Sequence, residues 1–160
     1  LIMNDTCQTQ ITIEGAKLLF RNFKGEESQF NRKGARNFCV ELTPEMAAEL
    51  IDCGWNIKTR KAREDDPDDV PASYMKVIVN FDGPHPPKIV MLTKHGKTAL
   101  DEETVGTLDW AEIQKCDLVF SAYQYEVGGK TGIAAYLKTM FVTVLEDDLE
   151  EKYADWGVED

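Results

Sequence analysis

Apolar and polar residues alternate with period two along most of this chain, which is the signature of half-buried strands. From residue 10 to 23, Ile11 and Ile13 fall on one face, and Gly15 interrupts the pattern before Lys17-Leu18-Leu19-Phe20, predicting one strand with an irregularity at the glycine. Gly25 to Gly34 is polar and turn-rich, a loop, and alternation resumes from Arg36 to Leu42 with Phe38, Val40 and Leu42 inward. A long basic hairpin is the result. Tyr74 to Phe81 is the clearest strand, with Met75, Val77, Val79 and Phe81 on one face and Tyr74, Lys76, Ile78 and Asn80 on the other. Pro84, Pro86 and Pro87 end that segment, and Lys88 to Thr93 reads as another strand. The segments 117–127 and 132–145 form a hairpin around Val127-Gly128-Gly129-Lys130.

Helical periodicity is confined to two places. Thr43-Pro44-Glu45-Met46 combines an N-cap, a proline suited to the first helical position and an acid for the dipole, so a helix runs from there to about Gly54, with Met46, Ala47, Leu50 and Ile51 as its packing stripe. Trp55-Asn56-Ile57-Lys58 leaves it as an extended segment, and 101–114 holds one or two short helical turns. The fold class expected is mainly β: a small barrel with an inserted helix, long loops and an acidic C-terminal tail. The division is a body, 1–145, and a tail, 146–160.

Composition changes this picture little. The 160 residues, 42% hydrophobic and 29% charged, fit one domain with a core of its own. No apolar run of about 18 residues is present, so no membrane partner is expected, and the first residues lack the basic and apolar regions of a signal peptide. Cys7, Cys39, Cys53 and Cys116 are scattered, without a C-x-x-C pair, and read as reduced apolar side chains in a cytoplasmic protein. With only His85 and His95 to join them, neither zinc nor another cofactor is expected. Nor does any nucleophile, base and orienting group fall into a catalytic pattern.

Charge changes it more. The net charge of -11 opposes a polyanionic partner, yet it is segregated. Between Lys17 and Arg63 basic residues outnumber acids, while much of the acid lies in Glu64-Asp65-Asp66-Pro67-Asp68-Asp69 and in the tail, where 146–160 carries eight acids against Lys152. The aspartate loop lacks the glycine turn of a calcium site and reads as solvated. Within the basic third, Arg21-Asn22-Phe23 and Phe30-Asn31-Arg32-Lys33 with Arg36 mix phosphate-neutralising cations with rings that offer a base a stacking face. Trp55 with Lys58 and Arg60, the pairs Tyr74 with Lys76 and Tyr136 with Lys138, and Tyr123 with Tyr125 add the same chemistry. Against this stand bland alternatives: Phe23, Phe30 and Trp55 as core rings, Phe38 as core, and the tyrosine–lysine pairs as ordinary strand composition.

The segments Leu19-Phe20-Arg21-Asn22-Phe23, Phe30-Asn31-Arg32-Lys33-Gly34 with Arg36-Asn37-Phe38, Gly54-Trp55-Asn56-Ile57-Lys58, Thr104-Val105-Gly106-Thr107-Leu108-Asp109-Trp110 and Ala135-Tyr136-Leu137-Lys138-Thr139-Met140 together resemble the single-stranded DNA-binding proteins of tailed bacteriophages. The resemblance implies an OB-like barrel that coats single-stranded DNA during replication and recombination in the infected bacterial cytoplasm, without catalysis. It leaves room for a homo-oligomer and for replication or recombination proteins as partners of the acidic tail, where Tyr153 and Trp156 are candidate anchors beside the terminal Glu159 and Asp160. Two other classes stay open: an acidic interaction module, either a DNA mimic or an assembly component, and a metal-dependent nuclease resting on the aspartate loop alone.

Overall fold

A computed structural model describes residues 7–29 and 31–145. Among these residues nine strands and one α-helix follow one another: β1 (Gln10–Ile13), β2 (Leu18–Asn22), β3 (Arg36–Leu42), α1 (Pro44–Asp52), β4 (Lys58–Arg60), β5 (Ala72–Val79), β6 (Lys88–Thr93), β7 (Gly96–Leu100), β8 (Ile113–Val127) and β9 (Lys130–Val144), with a 3-10 turn at Val105–Asp109.

The hydrogen-bonded path runs β1-β8-β9-β5-β3-β2. Its two ends are consecutive in the chain, so the sheet curls until both meet at one bent segment. Gly15 makes the bend with φ 63, and pairing carries on across it: Ala16 N donates to Cys116 O at 2.7 Å on the β8 side, and Glu41 N donates to Lys17 O at 3.0 Å on the β3 side. This is the expected OB-like barrel, its hydrogen-bond path open between β1 and β2.

β9 is long enough to serve two neighbours. It pairs in parallel with β5 at Ala135 and Tyr136, then with β6 from Thr139 to Thr143. The change of partner coincides with a bulge, where Val119 faces Thr139 but Phe120 faces Leu137, leaving Lys138 as the extra residue. At its other end the hairpin turns through Gly128 and Gly129, both at positive φ, in the two-residue loop that the sequence announced.

Inside the barrel Phe23, Phe38, Met75, Val77, Leu118, Phe120, Ile133 and Met140 are buried. α1 packs against this core through Ala47 and Leu50, with Thr43 Oγ1 accepting from Met46 N at 3.2 Å and Pro44 in the first turn. Ile51, expected on the packing stripe, is 54% exposed. The helix is rotated toward its Met46 side, which carries Ile51 past the edge of the contact.

Two expectations need correction. The cysteines are not all reduced: Cys7 and Cys53 form a disulfide, with Cα atoms 5.7 Å apart, while Cys39 and Cys116 are free. The partners lie 46 residues apart and meet only because the lead into β1 and the end of α1 pack at the same end of the barrel, beside Ile11, Leu50 and Trp55. The strand β7 was not foreseen. Four of its five residues are exposed, so it carries no alternation to read.

Candidate nucleic-acid interface

β5 turns Met75, Val77 and Val79 into the core and must therefore turn Tyr74, Lys76 and Ile78 outward. The registers fix what lies beside them. Lys58 of β4 pairs with Tyr74, Cys39 of β3 with Lys76, and Tyr136 of β9 with Ile78. One strand further, Tyr123 of β8 packs on Tyr136 with ring centroids 5.2 Å apart and is 54% exposed. At the opposite edge Phe20 of β2, 69% exposed, meets Tyr74 edge to face at 5.8 Å. Rings and lysines thus follow one another across five strands on a single outer face.

The Tyr123–Tyr136 pair is shared by two adjoining clefts. One, of about 330 Å³, is lined by Lys76, Ile78 and Tyr125. The other, of about 710 Å³, lies against Asn80, Gly83, His85 and Lys138. Lys138 Nζ donates to Gln10 Oε1 at 2.9 Å, a neutral partner that leaves its charge uncancelled. Lys58 and Lys76 have no ion-pair partner among the described residues. Their charge is felt by the half-buried Cys39 thiol, whose pKa burial raises and the two lysines pull back.

The basic loop between β2 and β3 divides its residues between building and display. Asn22 Oδ1 accepts from Gly25 N at 3.0 Å and Glu26 N at 2.9 Å, and Asn31 Nδ2 donates to Glu26 O at 2.8 Å and Ala35 O at 2.9 Å. Arg36 Nη1 donates to Phe23 O at 2.6 Å, its guanidinium lying over Phe81, and Arg21 Nη1 donates to Leu108 O and Ala111 O, each at 2.8 Å. These four hold the loop and tie it to the 3-10 turn, whose Asp109 accepts from Phe23 N and Lys24 N. Arg32 and Lys33 stand exposed on the scaffold so made.

Two expected contacts are corrected, and a third residue is engaged elsewhere. Phe23 offers no face to a base, being fully buried and stacked on Phe38 at 5.1 Å. Trp55 is 4% exposed, edge to face with Phe120, with its Nε1 buried and unpartnered among the described residues, so it is a core ring and not a platform. Arg60 is turned to the aspartate loop, where Nη1 and Nη2 meet Asp69 Oδ2 and Oδ1 at 2.9 and 3.2 Å. Those bonds, with Arg63 N, hold the Asp69 carboxyl well below the usual range. Phe30, Tyr153, Trp156, Glu159 and Asp160 lie outside the described residues.

The sequence reading missed Phe20, Asn80 and His85 as members of the surface. Phe20 sits at φ 49, an unusual conformation for a bulky residue, and no periodicity announces it. The alternation puts Asn80 on the outward face of a strand that in the structure ends at Val79, and His85 lies among the prolines beyond it, where no periodicity assigns it a role.

A family model of a phage ssDNA-binding domain matches residues 4–160. The chain belongs to that family. No curated protein matches it by sequence. Among solved structures, the single-stranded DNA-binding protein from bacteriophage Enc34 in complex with ssDNA aligns with a TM-score of 0.51 at 10% identity, covering 87% of this chain and 88% of that one. A second structure of the Enc34 protein aligns at 0.50 and 9% identity, over 84% and 80% of the two chains. At such identities the likeness is one of fold.

Proposed function

We propose that the chain binds single-stranded DNA with little sequence preference across the outer face of its barrel, protecting the strand during phage replication and recombination inside the infected bacterium. The observation that carries this reading is the continuous run Phe20, Tyr74, Lys76, Tyr136, Tyr123, rings and cations interleaved on one sheet face. Stacking on an aromatic ring is tolerant of base identity, and each phosphate neutralised by lysine or arginine releases condensed counterion. Lys58, Lys76 and Lys138 are the phosphate contacts of the face, and Arg32 and Lys33 extend it from the loop. Nothing on this face needs a catalytic step. The net charge of -11 works against binding at long range, so local neutralisation must carry it. The division into a binding body, 1–145, and an acidic tail, 146–160, that meets replication or recombination proteins belongs to the same reading.

Fluorescence anisotropy of a labelled dT oligomer, titrated at several salt concentrations with duplex as competitor, tests it. Binding should weaken with a log–log salt slope of about -0.7 for each phosphate contacted, and duplex should compete poorly. Absence of binding at low salt, or equal competition by duplex, contradicts it.

A further inference from the structure

The cleft of about 710 Å³ beside Tyr136 is far roomier than a track for phosphates needs, and lies in the range of about 300–1,000 Å³ typical of small-molecule sites. Its walls differ in chemistry. One is the Tyr123–Tyr136 ridge with Lys138 at its end, and the other is the turn after β5, from Asn80 to His85. Asn80 Oδ1 accepts from Asp82 N at 3.0 Å, which fixes the amide, and its Nδ2 donates to nothing among the described residues. Gly83 keeps that donor uncovered: a Cβ there would stand 3.2 Å from Nδ2.

We propose, resting on the single-strand reading, that this cleft is a base pocket, into which one nucleotide of the bound strand turns. The base stacks on the Tyr136 side of the ridge, Lys138 meets its phosphate, and Asn80 Nδ2 donates to an exocyclic carbonyl oxygen on the base edge. Thymine, cytosine and guanine present such an oxygen; adenine presents an amino donor in the place of thymine O4. A protein that is otherwise indifferent to sequence therefore disfavours adenine at one position of its footprint.

The test uses the full chain and two probes. Thymidine 5′-monophosphate alone, titrated by amide NMR, should shift the resonances of Asn80, Gly83, His85, Tyr123 and Lys138 saturably. Asn80→Ala should weaken a dT oligomer about fivefold more than a dA oligomer of equal length, the worth of one hydrogen bond. Asn80→Asp, which retains Oδ1 for Asp82 N but has no donor, should show the same difference between dT and dA on top of a charge penalty common to both, separating the donor from the fold of the turn. If the mononucleotide shifts nothing there, or both variants weaken dT and dA equally while wild type still binds dT, the pocket is wrong and the single-strand reading stands. If wild type binds no dT oligomer, both fall.

Discussion

At the scale of single residues, the outer face depends on what is absent as much as on what is present. Tyr125 lies flat across the neighbouring strand because Gly132 has no side chain: a Cβ there would stand 2.5 Å from the tyrosine Oη. The two free cysteines separate by depth. Burial, with Asp117 beside it, pushes the Cys116 thiol up to about 12, while Cys39 is raised by burial but partly restored by Lys58 and Lys76. In the native protein at pH 8, a thiol reagent should therefore modify Cys39 slowly and leave Cys116 untouched, with both reacting once the chain is unfolded. Mass spectrometry of the labelled protein reads this directly, and native labelling of Cys116 contradicts the burial described. The outward pair Tyr74 and Lys76 was legible in the sequence because strict alternation on β5 fixes which residues face out, whereas Lys138 sits at the β9 bulge, where that alternation breaks. Phe23 and Trp55 were not, because their polar sequence neighbours say nothing of a core assembled from Phe38 and Phe120, residues distant in the chain.

At the scale of elements, basic residues concentrate at the loop between β2 and β3, yet much of that charge is internal framework. Arg21, Asn22, Asn31 and Arg36 satisfy main-chain groups that long loops would otherwise leave without partners, and Arg32 and Lys33 stand exposed. Sequence alone cannot divide arginines in this way, since the carbonyls they meet belong to residues up to 90 positions away. Gly25 sits at the waist of this loop at φ 76, where a Cβ would come within 3.1 Å of the Gly34 backbone. Gly34 also has positive φ, but a Cβ there meets open space. Each glycine to alanine change should cost about 1–2 kcal/mol for the left-handed conformation, with Gly25→Ala the worse of the two. Urea unfolding of the two variants checks the order, and equal costs would remove the close approach from the account. Among the strands, β3 and β6 have the expected limits, whereas the single strand expected over 10–23 is two, β1 and β2, parted at Gly15 and lying at opposite ends of the path. β7 and the double role of β9 were not legible, because pairing partners are a property of the sheet and leave no local mark.

At the scale of the whole molecule, an acidic protein keeps one face whose lysines have no acidic partners among the described residues, while Asp69 of the aspartate loop is held by Arg60 and by the backbone N–H of Arg63. The same curl that joins β1 to β8 and β2 to β3 sets Phe20 at one end of the aromatic run and Tyr123 at the other. The disulfide ties the lead into β1 to the end of α1, among residues that take no part in that run. On the proposed reading a single strand lies across this face and stacks on its rings. Tyr136→Ala tests it most directly, since the ring serves both clefts and its removal alters no charge. With the melting temperature monitored to verify that the barrel is intact, the dissociation constant for a dT oligomer should rise about tenfold or more, the worth of one stacked base, while the salt slope stays that of wild type. A folded Tyr136→Ala protein that binds within twofold of wild type would contradict the account.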